Sequence, residues 1–137
     1  MGIVYAEITL VNPLDEAFAE HGYLNRKDIR AATVQAIVDT GAVSMVITEE
    51  LRQKLGLTLQ GDKIIRTANG QRVSSKITGA VEVRWKDRKW TVHALVLPGA
   101  EDVLLGAIPL EGLDLIVNPV TQELVGAHGD HEEYLVL

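Results

Sequence analysis

The chain has 137 residues, 47% of them apolar, which suits one domain over residues 1–137 with a core of its own. Cysteine is absent, which excludes disulfides, thiolate–metal sites and a cysteine nucleophile. With 19 acidic and 13 basic side chains the net charge is −6, which argues against a nucleic-acid partner, since a phosphate backbone wants a basic stripe.

The opening MGIVYAEITL has no basic n-region and is broken by Glu7, so it does not read as a signal peptide. No run reaches the ~20 apolar residues of a membrane helix, so no membrane partner is expected and the cytoplasm is the default location. Met1-Gly2 begins like a myristoylation signal, but the position that wants Ser or Thr holds Ala6.

Tyr5 to Val11 alternates as a strand does and stops at Asn12-Pro13. Residues 14–30 are mixed and polar, and read as a connecting excursion with one helical turn around Asp15 to Glu20. Ala32 to Val38 is a strand of the buried type running into Asp39, and Val43 to Ile47 continues as another. Thr48 is placed to cap a short helix with Glu49 and Glu50 in its first turn, Leu51 and Leu55 on its apolar face and Gly56 at its end.

Beyond this helix the chain is rich in strands. Lys63 to Thr67 and Val73 to Thr78 flank Asn69-Gly70, a strong hairpin signal. Val81, Val83 and Trp85 alternate, the run KDRK turns the chain, and Trp90 to Val96 alternate back, which predicts a Trp85–Trp90 cross-strand pair and an exposed His93. Val103 to Leu105, Leu115 to Val117 and Leu124-Val125 read as short strands, with a helical turn over Pro109 to Leu113 and a final apolar strand at EYLVL that would need cover, as at an interface between copies. Many short strands with regular turn signals predict a mostly-β barrel or sandwich with one or two short helices.

The chemistry centres on Asp39. On its own, Asp39-Thr40-Gly41 is a turn signature. Its flanks, Ala36-Ile37-Val38 before and Ala42-Val43-Ser44-Met45 after, predict a carboxylate on a loop held between buried strands, where its charge needs a partner.

Ile37-Val38-Asp39-Thr40-Gly41-Ala42, the hairpin at Asn69-Gly70 and Val103-Leu104-Leu105-Gly106 follow one another over residues 32–126 as they do in retropepsin-like aspartic proteases, which this chain resembles. The resemblance implies a retropepsin-like β-barrel, active as a homodimer on a peptide or protein substrate, with no cofactor and no metal. It implies catalytic Asp39, Thr40 and Gly41, with Thr40 bonding across a twofold axis and Gly41 allowing close approach. Substrate-facing positions would be Ala42, the flap tip Thr67, Ala68, Asn69 and Gly70, and Leu105 with Gly106.

One Asp-Thr-Gly per chain supplies one carboxylate, while water activation needs a base and an acid, so a second copy has to bring the second. Ala42 offers no hydroxyl to stabilise the charged carboxylate, which implies activity in mildly acidic solution. The resemblance departs at three places. The flap stretch Arg66 to Arg72 lacks an aromatic, Ala107-Ile108-Pro109 follow Gly106 where retroviral members carry Arg and Asn or Asp, and the excursion at 14–30 is long. A retropepsin-fold module that binds peptide or organises a partner without cutting is the alternative. The remaining candidates read as structural: His128, Asp130, His131 and Glu132 match no zinc spacing, and Ser44, Ser74 and Ser75 have no nucleophile elbow.

Overall fold

The first strand, β1 (Val4–Val11), keeps every second side chain inside: Val4, Ala6, Ile8 and Leu10 are buried, and Val11 at its end is buried as well. It pairs antiparallel with β2 (Ala31–Val38) along its whole length, in the computed structural model that describes residues 2–136. Met1 of the myristoylation reading and Leu137 of the apolar end lie outside the described residues.

Asn12-Pro13 starts a helix as well as ending a strand. The Asn12 side chain accepts from the amides of Leu14 (3.0 Å) and Asp15 (3.2 Å), and Pro13 opens α1 (Pro13–Glu20). The excursion is thus a two-turn helix followed by a 3-10 turn at Arg26–Asp28, and is longer in helix than the single turn expected. It is tied down by buried Asp15, whose carboxylate accepts from the Arg30 amide (3.0 Å), Nε (2.8 Å) and Nη2 (3.0 Å). The Arg30 guanidinium holds the Asp15 carboxyl below its ordinary range.

Next come β3 (Met45–Ile47) and α2 (Glu49–Leu55), which Thr48 caps by accepting from the Leu51 amide at 3.1 Å, as expected. The hairpin is β4 (Leu59–Arg66) with β5 (Arg72–Trp85). The two runs read separately as Val73–Thr78 and Val81–Trp85 are one strand of 14 residues, passing from the hairpin into the barrel across a register shift between Ile77 and Ala80. Then follow β6 (Arg88–Val96), β7 (Val103–Leu105), α3 (Ala107–Gly112), β8 (Leu115–Asn118) and β9 (Glu123–Gly126).

Strands run in the order β1-β2-β7-β3-β6-β5, and β1 returns to β5 through Thr9–Arg84, Leu10–Val83 and Val11–Glu82. Six strands therefore close a barrel, which leaves no free edge among them. Its interior is filled by Ile8, Leu10, Met45, Ile47, Val81, Val83 and Leu105, all with 1% exposure or less. β4 stands outside as the free arm of the hairpin, and β8 and β9 form a separate ribbon. There are three α-helices among the described residues, against one or two expected, and none is long and apolar enough to cross a membrane.

The end of the chain departs from expectation. Residues 127–136 form turns and irregular chain, so EYLVL is no strand over its described part. Instead Tyr134 stacks on Trp90 with ring centres 5.9 Å apart and donates its hydroxyl to the Gly112 carbonyl (2.5 Å). Trp90 therefore does not form the expected pair with Trp85, which carries the Lys86 ammonium 4.6 Å from its ring centre. Buried Arg88 donates to the carbonyls of Leu113 (3.1 Å), Asp114 (2.7 Å) and Gly129 (2.7 Å), which fastens the tail to the barrel.

Candidate active site

Parallel pairing of β2 with β7 brings two distant segments to one end of the barrel: Val38 lies beside Leu105, so Asp39 and Gly106 leave their strands together. The Asp39 amide donates to the Leu105 carbonyl at 3.0 Å, one last rung past the ladder. The chain then turns back, with the Ala42 amide on the Asp39 carbonyl (3.1 Å) and the Gly41 amide on the Asp39 Oδ1 (3.0 Å).

The return segment locks this turn. The Ala107 amide donates to the Ala42 carbonyl (2.8 Å) and the Ile108 amide to that of Val43 (2.9 Å). Gly106 lies so close beneath that a Cβ would fall on the Ser44 carbonyl and 2.6 Å from the Ala42 oxygen. Its backbone is extended (φ −94°), so it is glycine for lack of room. Gly41 does not use a left-handed backbone either; a Cβ there would stand 3.3 Å from Asp39 Oδ1.

Asp39, Thr40, Gly41, Ala42, Leu105 and Gly106 are thus one constellation. The flap-tip residues Thr67, Ala68, Asn69 and Gly70 stand apart, at the end of the β4–β5 hairpin. Their bonds are internal: Thr67 amide to Gln71 carbonyl (2.8 Å), Gly70 amide to Thr67 carbonyl (2.9 Å), and the Asn69 carboxamide oxygen accepting from the Thr67 hydroxyl and the Gln71 amide.

The expected desolvated carboxylate is not what a single chain presents. Asp39 and Thr40 are exposed, and so is Val43, which belongs to the turn and not to β3. The reason is geometric: the loop caps the barrel end, and covering it takes a second surface laid over that end. Beside Asp39 and Thr40 lies a mainly apolar groove of about 660 Å³, lined among others by Ile3, Ile37, Leu110, Ile116 and Val117. Sequence reasoning did not point to these residues. The signal was Ile3, just before β1, and Ile116, on the β8–β9 ribbon, apolar side chains left 63% and 51% exposed.

A hollow of about 610 Å³ between β1 and the Trp85 turn is lined by Glu7, Arg84 and Lys86 among others and does not include Asp39, and its Arg84 is already paired with Glu82 (2.6 Å) and Glu16 (3.6 Å). The histidines have other work. His128 Nδ1 lies 2.8 Å from Asp114 Oδ2, which also accepts from the Glu133 amide at 2.9 Å. That bond raises His128 above its ordinary value and lowers Asp114 below its own. His131 reaches Glu133 at 3.3 Å, and exposed His93 bonds the Thr78 carbonyl at 2.9 Å.

A family model described as aspartyl protease matches residues 27–108, more than half of the chain, including the Asp39 loop, the hairpin and Gly106. No curated protein matches. Among solved structures, a retropepsin-like aspartic protease from Rickettsia conorii aligns over 85% of both chains at 21% identity with a TM-score of 0.51. EIAV protease complexed with the inhibitor HBY-793 aligns at 23% identity over 58% of this chain and 75% of its own, with a TM-score of 0.47. The likeness to the Rickettsia chain is one of fold, the mostly-β barrel with its short helices.

Proposed function

The chain belongs to the aspartyl protease family, and from that membership we propose that it is an aspartic endopeptidase to which two copies each supply one Asp39. The observation that carries this reading is the Asp39 loop, exposed at the barrel end yet locked by backbone bonds from Leu105, Ala107 and Ile108. A carboxylate held that firmly at a surface suits a role facing its own symmetry mate.

In this mechanism one ionised Asp39 takes a proton from a water whose oxygen bonds to the scissile carbonyl carbon. The protonated Asp39 of the second copy gives its proton to the carbonyl oxygen. The resulting diol collapses as the C–N bond breaks: the first carboxyl protonates the amine nitrogen, and the second recovers a proton from a hydroxyl. Two carboxylates this close share one proton, so the rate is bell-shaped in pH.

The neighbours follow. The exposed Thr40 hydroxyl, without a hydrogen bond among the described residues, bonds the second copy's loop. Ala42 faces the substrate side, and the tip Thr67–Gly70 closes over substrate. Leu105, expected to face substrate, does not: its side chain fills the barrel, and only its backbone, with Gly106, supports the loop from beneath. The apolar groove at Ile3, Ile37 and Ile116 takes an apolar surface of the second copy, which also removes water from the paired carboxylates.

The test is peptide-library digestion at pH 4 to 7 by wild type and Asp39→Asn, with mass by light scattering. Wild type should cut as a dimer, and Asp39→Asn should be silent with its fold intact, a loss of about 10³-fold or more. An active monomer, or equal cutting by both proteins, would overturn the two-copy mechanism. Peptide binding without cutting would return the chain to the non-catalytic module.

A further inference from the structure

Charge is unevenly spread over this chain. The hairpin from Leu59 to Thr78 holds four of the 13 cations (Lys63, Arg66, Arg72, Lys76) and one of the 19 anions (Asp62). It is therefore at +3 within a chain at −6, which leaves the remainder at −9.

Ion pairing sharpens the contrast. Arg26, Arg30, Arg52, Arg84 and Arg88 each have a carboxylate oxygen within 4.0 Å. Arg66 and Arg72 are the two arginines that pair with no acid among the described residues, and both are exposed. Strand register sets them directly opposite each other where the hairpin meets its tip. Opposed like charges on an antiparallel pair repel, so the hairpin draws no stability from them. Alternation puts them on the face with Ile64, which is 69% exposed, and with the Lys76–Asp62 pair, while Ile65 and Val73 on the other face are half-buried.

We propose that Arg66 and Arg72 form a carboxylate-reading fork on the outer rim of the flap, which selects peptide substrates carrying acidic residues on either side of the scissile pair. A guanidinium presents a planar fork of donors that matches a carboxylate, and an anion seated between two of them cancels their repulsion. The body at −9 repels the same acidic segment, which leaves the hairpin as its point of entry. The occupant is an acidic segment of a peptide, the charge that complements two exposed guanidinium groups set opposite each other without a carboxylate of their own among the described residues. Selection of a substrate rests on the peptidase reading; capture of an acidic peptide does not.

The experiment uses two fluorescent peptides with one apolar centre, flanked by Glu in one and by Gln in the other. For wild type the Glu-flanked peptide should show a KM about tenfold lower with little change in kcat. The gap should close in 1 M salt, where the screening length is about 3 Å. Arg66→Gln/Arg72→Gln should bring the ratio to about one, and Arg66→Glu/Arg72→Glu should reverse it; the sites are exposed, so circular dichroism and melting should report an intact fold. A wild-type ratio near one, or a ratio that survives the Gln double variant, overturns the proposal. So does an intact ratio with an altered dimer mass, which would assign the arginines to association of copies. If wild type cuts neither peptide, the peptidase reading fails separately, and anisotropy with Asp39→Asn still decides the fork. Glu-flanked peptide bound about tenfold tighter, with the preference lost in the Gln double variant, upholds it; equal binding ends it.

Discussion

The loop Asp39–Ser44 and the hairpin tip Thr67–Gln71 are both exposed turns, but they are held by different means. The first donates to the Leu105 carbonyl and accepts from the Ala107 and Ile108 amides, far along the chain, and has Gly106 wedged beneath it. Among the described residues the second bonds only to itself, through Thr67, Asn69, Gly70 and Gln71. Exposure therefore says little about rigidity here. What separates the two is the sequence distance of their partners, since bonds to a remote segment break only when the barrel end opens.

Glycine substitutions test this contrast most strongly. Gly106→Ala drives a methyl into the Ser44 and Ala42 carbonyls, and the latter is already bonded to Ala107. A loss of about 2–4 kcal/mol is expected, together with most of the activity. Gly70→Ala has open space around it and only a left-handed backbone (φ 84°) to oppose it, at about 1 kcal/mol. Urea titrations of the two variants give the difference directly, and equal losses would mean that the Asp39 loop is no more fixed than the flap.

Shortening the hairpin through Asn69-Gly70 should divide the regions the other way. Turnover should fall on the order of tenfold or more, because closure over substrate is lost. The melting temperature should barely move, since β4 is exposed along nearly all its length and leaves the core untouched. Parallel losses of both would make it a structural hairpin.

A subtler change is Ala42→Ser, which adds a hydroxyl to the loop that carries Asp39. The acidic limb of the variant's activity should lie at lower pH than that of the wild type. The two pH–rate profiles on one substrate decide it, with an unchanged or rising limb placing residue 42 away from the pair.

The smallest effect belongs to the tail. His128 is raised above its ordinary 6.5, chiefly by its bond to Asp114, and Asp114 is lowered below its ordinary 3.8, chiefly by the same bond. The raised histidine contributes fully below 6.5 and loses that contribution as pH climbs through its folded value; the lowered aspartate contributes above 3.8 and loses it as pH falls through its own. The docked tail is thus firmest between these limits. Exchange of the Glu133 amide, corrected for intrinsic rate, should be faster at pH 8.5 than at 5.5, and His128→Asn should remove most of the difference.

Much of this was legible in the chain. Strand alternation in β1, the Thr48 cap and the order of the Asp39, Asn69-Gly70 and Gly106 elements are carried by adjacent residues, so the sequence displays them directly. What escaped depends on remote partners. Asn12, besides capping α1 with its carboxamide oxygen, donates its amide nitrogen to the Leu55 carbonyl at 2.9 Å, 43 residues away. Trp90 chose Tyr134 over Trp85, and the continuity of β5 depends on pairing with both β4 and β6. The exposure of Asp39 escaped for a related reason: apolar flanks show that strands are buried, and say nothing of what covers their ends.

The continuity of β5 has a mechanical side. Its barrel half is gripped from both sides, by β1 at Glu82–Arg84 and by β6 from Ala80 onward. At the register shift the buried Thr78 hydroxyl accepts from the Ala94 amide at 3.1 Å and donates to the Gly79 carbonyl at 2.7 Å, while the Gly79 amide reaches the Thr58 carbonyl at 2.8 Å. The hairpin is therefore a cantilever clamped at Thr78. Farther out, β5 keeps β6 only at Lys76 and Ile77, and Ser75 reaches the Val96 carbonyl at 3.0 Å. Beyond Ser75 the beam is a bare two-strand ribbon, so deflection grows toward Gly70 and the load is taken up at the root, where β5 meets β6.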